Sequence, residues 1–259
     1  MQTVLFHSTI FGPIHSRRLG VSLGVNLTPD DGKICSFDCL YCEAGFNAQG
    51  PGTTGFPPRE RVARLLESRL KNMSAAGEPL DVITFSGNGE PTLHPDFAGV
   101  IDDTLRIRDM YYPSARVSVL SNSTRLDHPD VVAALRKVDN NILKLDSALT
   151  STIRIIDRPN SPAFTAEKVI AELAQFKGQC IVQTMFLRGE YDGVEIDNTV
   201  PAEVDALIEA YKKISPSEIM IYSIDRKTPA ENLVKVPREE LERIGERVAS
   251  ATGIPVQVA

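Results

Sequence analysis

Cys35, Cys39 and Cys42 stand in the segment CSFDCLYC at a C-x3-C-x2-C spacing. Three thiolates in one short loop can each take one iron of a cubic [4Fe-4S] cluster, leaving the fourth iron without a protein ligand. An iron with an open position can bind a molecule and transform it. Structural zinc is the competing use of clustered cysteines, and it needs a fourth Cys or His. The remaining cysteine, Cys180, lies far downstream, and His94 is a histidine that could close a tetrahedron without belonging to a paired motif. A disulfide suits an odd triplet poorly, and no secretory signal precedes it. Spacing alone favours the cluster and leaves zinc open.

Further candidates follow along the chain. In SGNGEP (Ser86 to Pro91), Gly87 and Gly89 flank Asn88 and would let the main chain approach a ligand closely, while Glu90 can accept a hydrogen bond from an ammonium group. A tight strand-to-helix turn would use the same glycines. Asn122 closes the run RVSVLSN and suits ribose hydroxyls or a carboxylate. Lys144 and Asp146 alternate on one strand, so their side chains share a face. An acid and a base buried together must be paired or liganded. They form either a ligand-holding couple or a structural ion pair. Gln183 and Met185 on the next strand are interior residues with a weaker claim.

CSFDCLYC, with Tyr41 directly before the last cysteine, resembles the signature of the radical S-adenosylmethionine (radical SAM) enzymes. SGNGEP, downstream in the right order, resembles their Gly-Gly-Glu-Pro motif with Asn88 inserted. GPIHSRRLGVSLGVNLTP and IYSIDR resemble a subgroup related to the radical SAM enzyme of wyosine (tRNA base) synthesis. The resemblance implies that Cys35, Cys39 and Cys42 bind three irons while the methionine part of S-adenosylmethionine chelates the fourth. It further implies that the backbone at Tyr41 meets adenine, that Gly87, Asn88, Gly89 and Glu90 lie against S-adenosylmethionine with Glu90 accepting from the methionine ammonium, and that Asn122, Lys144 and Asp146 hold carboxylate and ribose. Phe37 and Tyr41 would wall the cluster from water. An electron from reduced flavodoxin or ferredoxin would then release a 5′-deoxyadenosyl radical that takes hydrogen from a substrate.

These residues need a scaffold that gathers them. Apolar β-rich runs lie at Val21–Leu27, Asp81–Ser86, Arg116–Ser121, Asn141–Asp146, Cys180–Phe186 and Glu218–Ser223. Helical periodicity occupies Pro58–Met73, Asp96–Met110, Asp130–Val138, Thr165–Phe176, Pro201–Ile214 and Pro237–Ala251. The alternation predicts parallel strands, nearly apolar on both faces, in an α/β fold. A partial (β/α)6 TIM-type barrel is expected, with an open doubly wound sheet as the alternative. One domain would span 1–259 with an N-terminal extension to about residue 20. Every motif then falls at the end of a strand on one face of the barrel.

At 42% hydrophobic and 24% charged residues, the chain can bury one sizeable core. A net charge of -6 argues against a broad nucleic-acid-binding surface, although a local basic patch would be compatible with it. No basic leader and no apolar run of about twenty residues appear, so a soluble cytoplasmic protein with no membrane association is expected. Cys180, opening an apolar run, reads as a core residue.

Glu43–Pro58 and Arg188–Pro201 read as mobile loops near the site, the first covering it or admitting substrate. Ser16, Arg17, Arg18 and Arg226 are either anion contacts at the mouth or solvated surface. The substrate is expected to be a small molecule or nucleoside, with RNA as the alternative for a tRNA-modifying enzyme of wyosine type. The chain ends without a cysteine-rich extension, so auxiliary clusters are not expected. A non-catalytic iron-sulfur or S-adenosylmethionine sensor is the rival from another class.

Overall fold

Short runs of β-branched and aliphatic residues bounded by turn formers become the strands of one sheet, and the amphipathic segments between them become its covering helices. The computed structural model describes residues 4–16 and 19–259. In chain order its main elements are β1 (Ile10–Ser16), β2 (Gly20–Val25), α1 (Arg59–Ala75), β3 (Val82–Phe85), α2 (Phe97–Tyr111), β4 (Arg116–Ser121), α3 (Pro129–Leu135) and β5 (Asn140–Lys144). There follow α4 (Thr150–Ile156), α5 (Ala166–Ala174), β6 (Ile181–Tyr191), β7 (Val194–Asp197), α6 (Pro201–Ile214), β8 (Glu218–Ser223), β9 (Leu233–Lys235), α7 (Arg238–Thr252) and β10 (Val256–Val258).

The sheet runs β1-β2-β3-β4-β5-β6-β8-β10. From β2 to β10 every neighbouring pair on that path is parallel, and β1 lies antiparallel on β2. Among the described strands β1 and β10 do not pair, so the curled sheet stays open as a partial barrel. The six expected parallel strands are β2, β3, β4, β5, β6 and β8, extended by one strand at each edge.

Side chains alternate across the sheet. One set, including Leu23, Val25, Ile83, Phe85, Val117, Val119, Val182 and Ile219, packs with Leu66, Leu70, Ile101 and Leu207 of the helices in the main core. The other face mixes a small apolar cluster of Val82, Ile142, Ile181 and Met220 with polar contacts. Ser22 Oγ lies 2.8 Å from Thr84 Oγ1, and Asn140 donates to Ser118 Oγ at 2.8 Å. Contrary to expectation, the strands are not apolar on both faces, because the inner face carries hydroxyls and amides that satisfy one another.

The helices begin and end where local chemistry allows. Pro58 caps α1, whose Val62, Leu66, Leu70 and Met73 make its buried stripe. Thr165 caps α5 by accepting from Lys168 N at 3.2 Å. α3 stops at Leu135, short of the expected Val138. α4 was not expected, since TSTIRII is a single short stretch rich in β-branched residues with weak intrinsic helix preference. Arg188–Pro201 is no open loop: β6 runs on to Tyr191 and turns back through β7 as a hairpin. Glu43–Pro58 is likewise tied down, by a bridge from Pro51 to Lys33 and by Thr53 and Thr54 donating to the Asp31 carboxylate. Cys180 is buried in the main core, as expected. Arg226 is exposed and paired with Glu43, while Arg17, Arg18 and the Ser16 side chain lie outside the described residues.

Candidate active site

The cysteine loop leaves the end of β2 and is gripped from two sides. On one side the SGNGEP turn after β3 forms a bridge between Ile34 and Gly89, and Glu90 N donates to Ile34 O at 3.1 Å. On the other, the segment after α4 lies along the loop. Leu40 N donates to Ile156 O at 2.9 Å, Asp38 N to Asp157 O at 3.0 Å, and Asn160 N to Ser36 O at 2.9 Å. Phe37 bridges Pro159, and Asn160 Nδ2 donates to Cys35 O at 3.1 Å. Arg158 adopts a left-handed φ of 49°, a conformation non-glycine residues rarely take without compensation. Nothing in the sequence marked residues 156–160, because main-chain groups do most of the gripping and the one side-chain contact, from Asn160, belongs to no motif.

All four cysteines are free thiols, with Cys39 buried and Cys35 and Cys42 half-buried. Burial, then the nearby Glu90 carboxylate, pushes the Cys35 thiol up to about 12. Burial also pushes Cys39 well up, against the pull of Lys144. Thiols in such a setting ionise when a cation compensates them, which is what a bound metal provides. Lys33, two residues before the triplet, points inward with 1% of its side chain exposed. Burial alone would lower its pKa, but Cys42, Cys35, Cys39 and Asp38 together raise it. The three thiols therefore share one neighbourhood. Among the described residues, no three His, Cys, Asp or Glu side chains converge on a single metal ion. His94 cannot serve zinc: its Nδ1 accepts from Asp96 N at 3.1 Å and its Nε2 meets Pro57 O at 2.8 Å.

Lys144 and Asp146 are brought together with Tyr41, Cys39 and a residue the sequence did not reveal, Asp157. Lys144 Nζ lies 3.1 Å from Asp146 Oδ2, 2.9 Å from Asp157 Oδ1 and 3.3 Å from Cys39 Sγ. It also donates to the Tyr41 hydroxyl, which donates to Asp146. The ammonium sits over the Tyr41 ring at 4.4 Å and near the Phe37 ring at 5.8 Å. Burial opposes the charge on Lys144, but Asp146 and Asp157 outweigh it and hold its pKa well above the ordinary lysine value. Two carboxylates compete for one ammonium, so burial pushes Asp157 up, with Asp146 repelling it. These residues form an ion-paired network. Tyr41 enters it through its hydroxyl, which leaves its backbone for the expected adenine contact.

Glu90 is 2% exposed and saturated on one oxygen. Oε1 accepts from Thr92 N, Thr92 Oγ1 and Ser121 Oγ, and Oε2 accepts from Asn122 N at 2.6 Å. Burial raises its pKa in spite of these donors. Oε2 keeps room for one more donor. Asn122 Nδ2 donates to Ser36 Oγ at 2.9 Å and approaches Cys35 Sγ at 3.5 Å.

The two glycines of the turn serve the protein itself. A Cβ on Gly89 would stand 1.8 Å from Ile34 O, and one on Gly87, at φ 152°, would stand 2.3 Å from Asn26 Oδ1. Close approach is thus to the cysteine loop and to Asn26. Asn88 also faces away from the thiols, donating to Phe6 O at 2.9 Å and Pro29 O at 3.0 Å while accepting from Phe6 N.

Above the network, Tyr41, Phe46, Tyr191, Tyr222 and Met185 belong to one apolar cluster at the barrel mouth. Arg158 leans on it, 5.1 Å from the Phe46 ring and 5.2 Å from the Tyr191 ring, and donates to the Tyr191 hydroxyl at 3.0 Å. Gln183 N and C=O groups serve the sheet, and its side chain is 8% exposed on the inner face.

Residues 31–200 match the family model of the radical SAM superfamily. The chain is 29% identical over 255 residues to a Brachyspira hyodysenteriae protein named GTPase Obg, covering 96% of this chain and 35% of that one. It is 30% identical over 237 residues to a UPF0026 protein of Methanocaldococcus jannaschii, covering 89% of this chain and 68% of that one. The chain thus spans between about a third and two thirds of the length of these relatives. Its fold is similar to that of a radical SAM methyltransferase from Sphaerobacter thermophilus, with a TM-score of 0.66, 16% identity, and coverage of 92% of this chain and 65% of that one. The structure of TYW1 with a lysine-pyruvate adduct bound is also similar, with a TM-score of 0.59, 18% identity, and coverage of 88% of this chain and 73% of that one.

Proposed function

The chain belongs to the radical SAM superfamily, and from that premise we propose that it is an enzyme whose Cys35, Cys39 and Cys42 hold three irons of a [4Fe-4S] cluster. When bound, the cluster supplies the electron that splits S-adenosylmethionine into methionine and a 5′-deoxyadenosyl radical, and that radical takes hydrogen from a small-molecule or nucleoside substrate. The observation that carries this reading is the gathering of three free thiols between two main-chain clamps, with buried cations beside them.

The chain's own residues then have definite tasks. Glu90 Oε2 offers its spare lone pair to the methionine ammonium, and Thr92, Ser121 and Asn122 fix the carboxylate's orientation. Asn122 turns its amide toward ribose or carboxylate at the cost of its contact with Ser36. Lys144 can exchange one of its two carboxylates for the methionine carboxylate, freeing Asp146 for ribose hydroxyls. The aromatic cluster at the mouth excludes water from the radical and suits a flat, base-like substrate, and Arg158 stands beside it for an anionic group. A reduced flavodoxin or ferredoxin is the proposed electron donor.

Anaerobic reconstitution tests the ligand assignment. The wild-type protein should be brown with about four irons, and alanine at any of the three cysteines should lower that content sharply. Stoichiometric zinc in colourless protein would contradict it.

A further inference from the structure

Lys33 belongs to none of the motifs, yet its side chain reaches into the cysteine loop. Its ammonium donates to Gly45 O at 2.8 Å, just beyond the triplet, and lies 3.6 Å from Asp38 Oδ1, inside it. Gly45 N in turn donates to Cys42 O at 2.9 Å. The lysine backbone is fixed as well, with Lys33 N donating to Gly50 O at 2.8 Å and Gly52 N donating to Lys33 O at 3.0 Å. Burying an ammonium with one carbonyl and one loosely placed carboxylate is costly unless further negative charge is nearby. The cysteine loop that wraps the ammonium, with Asp38 between Cys35 and Cys39 and Gly45 tied back to Cys42 O, would supply it once the thiols lose their protons on binding metal.

The other lysine at the thiols does not duplicate this. Lys144 touches Cys39 Sγ, but Asp146 and Asp157 already neutralise it. Lys33 has only Asp38 among the described carboxylates within salt-bridge distance. A cubane core with three thiolates carries net negative charge, and that charge grows by one on reduction. A fixed cation at short range stabilises the reduced form more than the oxidised one.

We propose that Lys33 is a positioning residue of electrostatic kind, whose buried ammonium raises the reduction potential of the cluster held by Cys35, Cys39 and Cys42. The proposal rests on those cysteines being the cluster ligands. Reduction adds one electron, taken from dithionite, which is oxidised; no bond to the lysine forms or breaks.

The test is a potentiometric titration of reconstituted protein, without S-adenosylmethionine, followed by the electron paramagnetic resonance of the reduced cluster. At the potential where the wild type is half reduced, Lys33→Met should lower the reduced-to-oxidised ratio at least tenfold, which is about 59 mV for one electron. Lys33→Arg, which keeps the charge, should stay within about threefold of the wild type. An unchanged ratio in Lys33→Met, or an equal fall in both variants, overturns the proposal. If Lys33→Met holds no cluster, Asp38→Asn decides: removing the charge beside Lys33 should raise the ratio at least threefold, and no rise overturns the proposal. Wild-type protein that takes up no cluster overturns the cysteine assignment and this one with it. A normal wild-type cluster with no effect at Lys33 overturns this one alone.

Discussion

Lys144 shows how a single side chain can be both structural and functional. It neutralises two buried carboxylates and touches a thiol, so removing it leaves Asp146 and Asp157 facing each other in the interior. Deleting one partner of a buried pair typically costs about 3–5 kcal/mol. Lys144→Met should lose stability on that scale in denaturant titration, and adding Asp157→Asn should restore part of it. Equal stability of Lys144→Met and wild type would show that the network is solvated and carries no such energy. The sequence placed Lys144 and Asp146 on one face correctly, because strand alternation is local. It could not reveal Asp157, which arrives from the end of a helix that the sequence did not announce. Lys33 was hidden for another reason: one lysine in a polar stretch gives no sign of pointing inward.

At the scale of elements, the cysteine loop is held by two neighbours, the turn after β3 and the segment after α4. The turn after β3 was legible as a motif, and its glycines also make close contacts the sequence did not show, Gly89 to Ile34 of the loop and Gly87 to Asn26. Gly89→Ala sets a Cβ against Ile34 O, so the main chain must shift. We expect a loss of about 1–3 kcal/mol, seen as a lower thermal midpoint, together with poorer retention of iron after desalting. Unchanged stability and iron would mean that the turn is not a clamp. The other clamp, residues 156–160, consists mainly of backbone carbonyls and amides, with the Asn160 side chain added, and only the folded chain brings them beside Cys35 to Cys39. The six parallel strands and their main helices were readable because each carries its own periodicity. The β6–β7 hairpin was not, since its polar, acidic outer residues mimic a loop until pairing is seen.

Over the whole molecule, the partial barrel explains why distant motifs meet. Cysteine loop, SGNGEP, Asn122, Lys144 and Asp146 all follow strand ends on one side of the sheet, and the aromatic cluster stands above them. No helix among the described residues is long and apolar enough to cross a membrane. The central claim is that this assembly makes a radical from S-adenosylmethionine, and the direct test is the amount of 5′-deoxyadenosine formed when anaerobically reconstituted protein meets S-adenosylmethionine and dithionite. The account predicts its formation by the wild type and its loss, to the level without protein, in Cys35→Ala, Cys39→Ala and Cys42→Ala. Fully reconstituted wild-type protein that forms none would contradict it.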